Sequence, residues 1–256
     1  MTQDLSSADE WLSPIVELRQ YTLHPGQRDV LIELFEREFI ESQEALGAKV
    51  IGEFRDLDNP DLFVWLRGFE DMPTRARALT EFYGGPLWRE NSQAANATMV
   101  DSDNVLLLRP ARPGRAFQLS PRARPAPGAA DVPSALIVAT IYYLRASAAT
   151  DFASWYEESL QPLLLEAGGT ALASFVTESS PNNFPRLPVR EGESVFVAFT
   201  CFASEQAFEA QRARLAGSAS WRELNTQLAS RSRNLPEVHR LAPGARSLLR
   251  GCKPAS

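Results

Sequence analysis

The chain has 256 residues, 44% of them hydrophobic, with a formal net charge of −6 and a pI near 5.2. That content supports two folding units with real cores and excludes a disordered composition. The acidic balance argues against a nucleic-acid partner, and the absence of roughly 18 successive apolar residues argues against a membrane span.

Residues 1–14 are acidic, lack an apolar run of signal-peptide length and read as an N-terminal extension. Ile15 to Leu23 alternates apolar and polar residues as a strand does, and His24-Pro25-Gly26 breaks it. Val30, Leu31, Leu34, Phe35 and Phe39 then recur at helical spacing up to Gly47, a natural helix stop. Lys49–Phe54 and Leu62–Phe69 form a predicted hairpin across the turn residues Asp58-Asn59-Pro60-Asp61. Helical segments follow from Pro73 to Tyr83 and Trp88 to Thr98, and Val105–Leu108 gives a last strand. The order βαββαβ over residues 15–109 is ferredoxin-like, with one uncovered sheet face that needs a partner.

Residues 110–133 form a Pro-rich connector carrying Arg112, Arg115, Arg122 and Arg124, read as solvated charges. Residues 134–249 read as a second unit of the same kind, with 250–256 as a tail. Asp29 and Asp151, Gly47 and Gly169, and Tyr21 and Tyr143 pair at an offset of 122, whereas Phe63 and Phe196, and Trp88 and Trp221, pair at 133. The two offsets differ by 11, an insertion placed between Glu178 and Val195, over 179–194. The expected fold class is therefore α+β, two ferredoxin-like βαββαβ units packed sheet on sheet as an intramolecular dimeric α+β barrel. Trp88 and Trp221 are expected as packing anchors, and Phe184 on the insertion as part of a lid over a barrel opening.

Glu17-Leu18-Arg19-x-Tyr21, Pro25-Gly26, Gly52-x-Phe54, Asn59, the run Phe63-Val64-Trp65-Leu66-Arg67-Gly68-Phe69, Asp71 and Arg75 together resemble the NIPSNAP family. The resemblance covers residues 15–109 and implies membership of the dimeric α+β barrel superfamily. It implies no particular reaction or substrate. The second unit departs from these motifs: aligned with Glu17, Arg19, Trp65 and Arg67 are Ala139, Ile141, Ala198 and Thr200, which speaks against an equivalent second site.

Alternation places Glu17, Arg19 and Tyr21 on one face of the first strand, and Phe63, Trp65 and Arg67 on one face of its neighbour. One carboxylate, two guanidiniums, a phenol and large rings, with Phe54 and His24 nearby, suit a small anionic or aromatic ligand. Glu17, Arg19 and Tyr21 are the catalytic candidates and Phe54, Phe63, Trp65, Arg67 and His24 the ligand-binding ones. A buried structural ion network is the competing reading of the same residues. Cys201 reads as a core thiol in an apolar strand and Cys252 as a tail residue, so a reducing, cytoplasmic setting is expected. His239 has only Glu237 near it in sequence, and no metal or cofactor is expected.

Three functions stay open: binding of a small metabolite in the barrel between the two sheets; cofactor-independent oxygenation or isomerisation of an activated carbon acid; and a non-catalytic interaction role, for which a barrel filled by its own side chains is expected. Association of chains into homo-oligomers is compatible with all three.

Overall fold

The computed structural model describes residues 13–119 and 123–252; residues 1–12, Ser120, Pro121 and Arg122 of the connector, and 253–256 of the tail lie outside it. The first unit runs β1 (Ile15–Leu23), α1 (Arg28–Leu34), a π-helical turn (Phe35–Phe39), α2 (Ile40–Glu44), β2 (Lys49–Asp56), β3 (Leu62–Phe69), α3 (Met72–Gly84), α4 (Pro86–Ala97) and β4 (Met99–Pro110). The second runs β5 (Leu136–Tyr143), α5 (Phe152–Trp155), a π-helical turn (Tyr156–Leu160), α6 (Gln161–Ala167), β6 (Thr170–Thr177), β7 (Val195–Phe202), α7 (Glu205–Gly217), α8 (Ala219–Arg231) and β8 (Glu237–Pro243). All eight strands close into one barrel in the order β1-β3-β2-β8-β5-β7-β6-β4. The sheets of the two units join at β2–β8 and β4–β6, so the α+β barrel is made by one polypeptide.

Strand alternation divides the side chains into two environments. Val16 and Leu18, Val64 and Leu66, Leu106 and Leu108, Ile137 and Ile141, Phe175, Val197 and Phe199 fill the barrel interior as one cluster. Phe117 from the connector and Leu249 from the C-terminal segment join them there. The opposite face of each sheet packs on helices: Tyr21, Phe63 and Trp65 meet Leu31, Phe35 and Phe39 in the first unit, and Tyr142 and Phe196 meet Phe152 and Tyr156 in the second. Trp88 and Trp221 pack against these two helix-side clusters.

Strand registers correct the residue pairing between units. Arg19 lies opposite Trp65 in one unit and Thr140 opposite Ala198 in the other, so the first strands superpose at an offset of 121, not 122. The π-helical turns begin at Phe35 and Tyr156, and the bulges interrupt Val50/Gly52 and Ala171/Ala173, all at the same 121. A one-residue slip exchanges the two faces of a strand. Glu17 and Arg19 are therefore replaced by Val138 and Thr140, not by Ala139 and Ile141, and the insertion before β7 is 12 residues long.

Three further expectations change. β4 starts at Met99 rather than Val105, because Asp101 and Asp103, which interrupt the apolar run, sit at exposed positions of a strand paired with β1. Arg124 is not solvated: it reaches back to the Glu44 carboxylate at 2.7 Å and to the Val50 and Arg246 carbonyls, fastening the connector to the first unit. Arg112 and Arg115 pair with Glu157 in the second. Finally, Cys201 is buried in the interior but is not a free thiol, for it is bonded to Cys252. The two cysteines thus no longer point to a reducing compartment. Among the described residues no helix is long and apolar enough to cross a membrane.

Candidate functional site

Glu17 projects from the helix-side face of β1, and three guanidiniums converge on it. Arg19 Nη1 donates to Oε2 at 2.7 Å, Arg67 Nε to Oε2 at 2.8 Å and Arg75 Nε to Oε1 at 2.7 Å. All four side chains are completely buried. Arg19 and Arg67 are delivered by the pairing of β1 with β3, and Arg75 by the first turn of α3, where Asp71 accepts from the Thr74 amide at 2.7 Å and Pro73 fits the start of a helix. Gln43, just past the π-helical turn, donates to the Phe39 carbonyl and offers Oε1 to Arg67 Nη1 at 2.8 Å. The Tyr21 hydroxyl accepts from Arg19 Nε at 2.8 Å.

The predicted cluster thus forms, but on the helix side of the sheet, away from the barrel interior. Burial alone would raise the Glu17 carboxyl; Arg67, Arg19 and Arg75 outweigh it and hold the group far below the usual carboxylate range. Such a carboxylate stays ionised and paired, which suits a structural hub and not a proton-accepting base. Tyr21 is pushed up, mainly by burial, and remains a phenol. Phe63 and Trp65 border the cluster as expected. Phe54 does not: it points into the barrel interior. His24 is exposed on the strand-to-helix turn, apart from the cluster.

The insertion closes this centre from the other unit. Asn182 Oδ1 and Asn183 Oδ1 accept from Arg75 Nη1 at 3.0 and 2.7 Å, Asn183 Nδ2 donates to the Met72 carbonyl, and Phe184 stacks on Tyr83 with centroids 5.9 Å apart. Phe184 therefore covers the first unit's arginine centre and not a mouth of the barrel. Arg75 and the two asparagines were absent from the sequence-based site, because spacing within one strand pair cannot bring in a helix and a loop from another unit.

At the corresponding place in the second unit the sheet-helix space is open. A cleft of about 600 Å³ has Val138, Thr140 and Thr200 in its floor and Tyr156, Phe208 and Trp221 in its walls. Glu17, Arg19, Trp65 and Arg67 have become Val138, Thr140, Ala198 and Thr200, and the loss of that side-chain volume leaves the space. In the first unit the aromatic cavity between Trp65, Phe35, Phe82 and Trp88 measures about 30 Å³. At the rim of the larger cleft Arg240 is held by Asp58 at 2.6 and 2.8 Å and approaches Glu209 at 3.6 Å. Burial raises the Tyr142 and Tyr156 phenols, keeping them protonated.

A second polar chain crosses the β2–β8 seam. His239 Nδ1 lies 2.8 Å from Asp56 Oδ2 and its Nε2 2.9 Å from Glu237 Oε1, while the Tyr143 hydroxyl donates to Glu237 Oε2 at 2.7 Å and accepts from Arg190 Nη1 at 2.8 Å. Asp56 is 183 positions from His239, which hid this partner in the sequence. Burial would lower the His239 pKa, but hydrogen bonds to Asp56 and Glu237 prevail and raise it from 6.5 to about 9. A raised folded-state value means that this contribution is fully present below pH 6.5 and is lost as pH rises through about 9. Glu53 acts in the same direction, since burial and the nearby Glu36 raise it to about 8. Unfolding free energy is expected to fall by ~3 kcal/mol through the His239 linkage between those limits. Urea titrations at pH 6.5 and 9.5 check this, and His239→Gln should remove that share of the fall while leaving the part that Glu53 contributes.

Comparison with known proteins bears on the fold and on the first unit. No curated protein matches the chain. An anthrone oxidase-like protein of solved structure superposes with a TM-score of 0.59 at 14% identity, over 91% of this chain and 92% of that one. A candidate monooxygenase from Lactobacillus acidophilus does so with a TM-score of 0.55 at 12% identity, over 90% and 94%. At these identities they show a shared fold. A NIPSNAP-like domain protein from Burkholderia xenovorans is 30% identical over 44% of this chain and 92% of its own length, with a TM-score of 0.35. The NIPSNAP family profile matches residues 16–113, the stretch that carries Glu17, Arg19, Trp65, Arg67 and Arg75. Residues 16–113 are accordingly a NIPSNAP-family unit, built into a two-unit α+β barrel chain.

Proposed function

We propose that this protein binds a small, uncharged aromatic compound in the helix-side cleft of its second unit. The observation that carries the reading is the 600 Å³ opening where the first unit is filled by Glu17, Arg19, Trp65 and Arg67. That volume lies within the range of small-molecule sites, and an apolar lining with a few hydroxyls is their usual character. The walls offer rings, Thr140 and Thr200 offer hydrogen bonds, and the charged groups at the rim neutralise one another. A ligand placed between the two sheets would have to displace the packed interior cluster. Tyr142 and Tyr156 are held as neutral phenols, so this cleft supplies orientation and exclusion of water; a reaction there would draw its base from the ligand or from the rim carboxylates. The same packed interior suits a non-catalytic interaction role, but the cleft lies on the other side of the sheet and is independent of it.

Because an anthrone oxidase-like protein shares the fold over most of both chains, anthrone is a sensible first probe. Calorimetric titration is expected to show anthrone binding to the native protein and benzoate binding at least tenfold more weakly. The double substitution Thr140→Met, Thr200→Met puts back side-chain length where the first unit has Arg19 and Arg67, and should abolish anthrone binding while the melting temperature stays within a few degrees. Equal binding by the filled variant, or no binding of neutral aromatics by the native chain, would overturn the reading.

A further inference from the structure

The second unit differs from the first in polar groups as well as in bulk. The π-helical turns begin at Phe35 and Tyr156, and α3 and α7 begin at Met72 and Glu205, so Phe35 corresponds to Tyr156 and Ala78 to Gln211. Where the filled unit has a plain ring and a methyl, the open one has a phenol and a carboxamide, and both border the cleft. Tyr142 differs from its counterpart too: the Tyr21 hydroxyl is taken by Arg19, whose place in the second unit belongs to Thr140. Tyr142, Tyr156 and Gln211 are only 4, 2 and 6% exposed. Yet the two hydroxyls and Gln211 Oε1 have no hydrogen-bond partner among the described residues. Buried polar groups are nearly always paired, so three on one cleft point to something that enters it.

We propose that Gln211 sets the specificity of the cleft and selects an aromatic compound bearing a hydroxyl, which donates to Gln211 Oε1. The inference rests on the cleft being the ligand site. Nε2 donates to the Leu164 carbonyl at 2.8 Å and to the Gly168 carbonyl at 2.6 Å. Backbone carbonyls can only accept, so these two partners fix which end of the amide is which. The NH2 group is committed to the end of α6, and Oε1 faces the other way. Oε1 is unpaired but not sealed in by packing, so it opens on the space the side chain borders, which is the cleft. The hydroxyls of Thr140, Thr200, Tyr142 and Tyr156 can donate or accept, and they discriminate little. Gln211 Oε1 can only accept. A ligand O–H satisfies it, whereas an ether or a bare ring edge leaves it unpaired, and a site of that kind rejects the analogue lacking the hydroxyl. A carboxylate would meet it lone pair to lone pair.

The test compares 2-naphthol with 2-methoxynaphthalene by calorimetric titration of the full chain at pH 7. The two probes share the ring system and the oxygen, and only the first can donate. The native protein is expected to bind 2-naphthol roughly tenfold more tightly. Gln211→Met keeps the length of the side chain and removes Oε1, and should bring the two affinities together. That variant also strips the Leu164 and Gly168 carbonyls of their donor, so its melting temperature is expected to fall; the ratio of affinities is the readout a merely structural role would not move. Native crystals soaked with 6-bromo-2-naphthol should place the bromine by its anomalous signal and the hydroxyl within hydrogen-bonding distance of Gln211 Oε1, which tests the proposal even if the variant fails to fold. Equal affinities in the native protein, an unchanged ratio in a folded Gln211→Met variant, or a naphthol hydroxyl turned away from Gln211 would overturn this inference and leave the cleft as a ligand site. Failure of both probes to bind would overturn the two together.

Discussion

Glu17→Gln is expected to destabilise the fold by about 3–5 kcal/mol, the usual cost of removing one partner from a buried ion cluster. The amide keeps the shape of the carboxylate but not its charge, and three guanidiniums that now share Glu17 would face one another in a site with no solvent access. Urea unfolding measures the effect as a shift in midpoint at unchanged slope. Removing Arg75 as well, as Arg75→Met in the same chain, should recover part of the loss, because the members of one network are coupled and not additive. A Glu17→Gln variant as stable as the native protein would refute the structural role of the carboxylate and return it to the list of candidate bases.

Cys252→Ala is expected to cost about 4 kcal/mol, from the chain-entropy relation for a closed loop of this length. The bond between Cys201 and Cys252 spans 51 positions and ties the C-terminal segment to the end of β7. That segment does more than end the chain: Leu249 fills the interior, the Arg246 amide meets Glu53, and Arg246 Nη2 pairs with Glu41. Dithiothreitol should lower the urea midpoint of the native protein towards that of the variant and leave the variant unchanged. An equal response of both proteins would mean that the bond does not form in solution.

The architecture was legible because alternation and helical periodicity are strong signals over segments of this length. Glu17, Arg19, Trp65 and Arg67 announced themselves by placing long polar groups on strands otherwise rich in apolar ones. What the sequence hid has physical reasons. Arg75, Asn182 and Asn183 join the cluster through helix and loop placement, and Asp56 reaches His239 across the seam between units. An apolar strand position is compatible with both a buried thiol and a disulfide, so Cys201 gave no sign of its partner. The offset of 122 was suggested by the Tyr21–Tyr143 match, yet Tyr142 is the residue in the equivalent place, and two adjacent tyrosines allowed the slip. That single step turned the outward face of β5 inward and concealed the short residues Val138 and Thr140. A cleft made by missing bulk leaves no motif; only the corrected register reveals it.

The reach of the insertion has a consequence for how the chain can be divided. Asn182, Asn183 and Phe184 belong to one half of the polypeptide and finish the electrostatic centre of the other, while Arg124 and the C-terminal segment are anchored on the first half in turn. A cut in the connector therefore does not release two autonomous modules. Each fragment would carry a wound that only the other can dress, so genetic separation of the halves is tolerable only where both are made together.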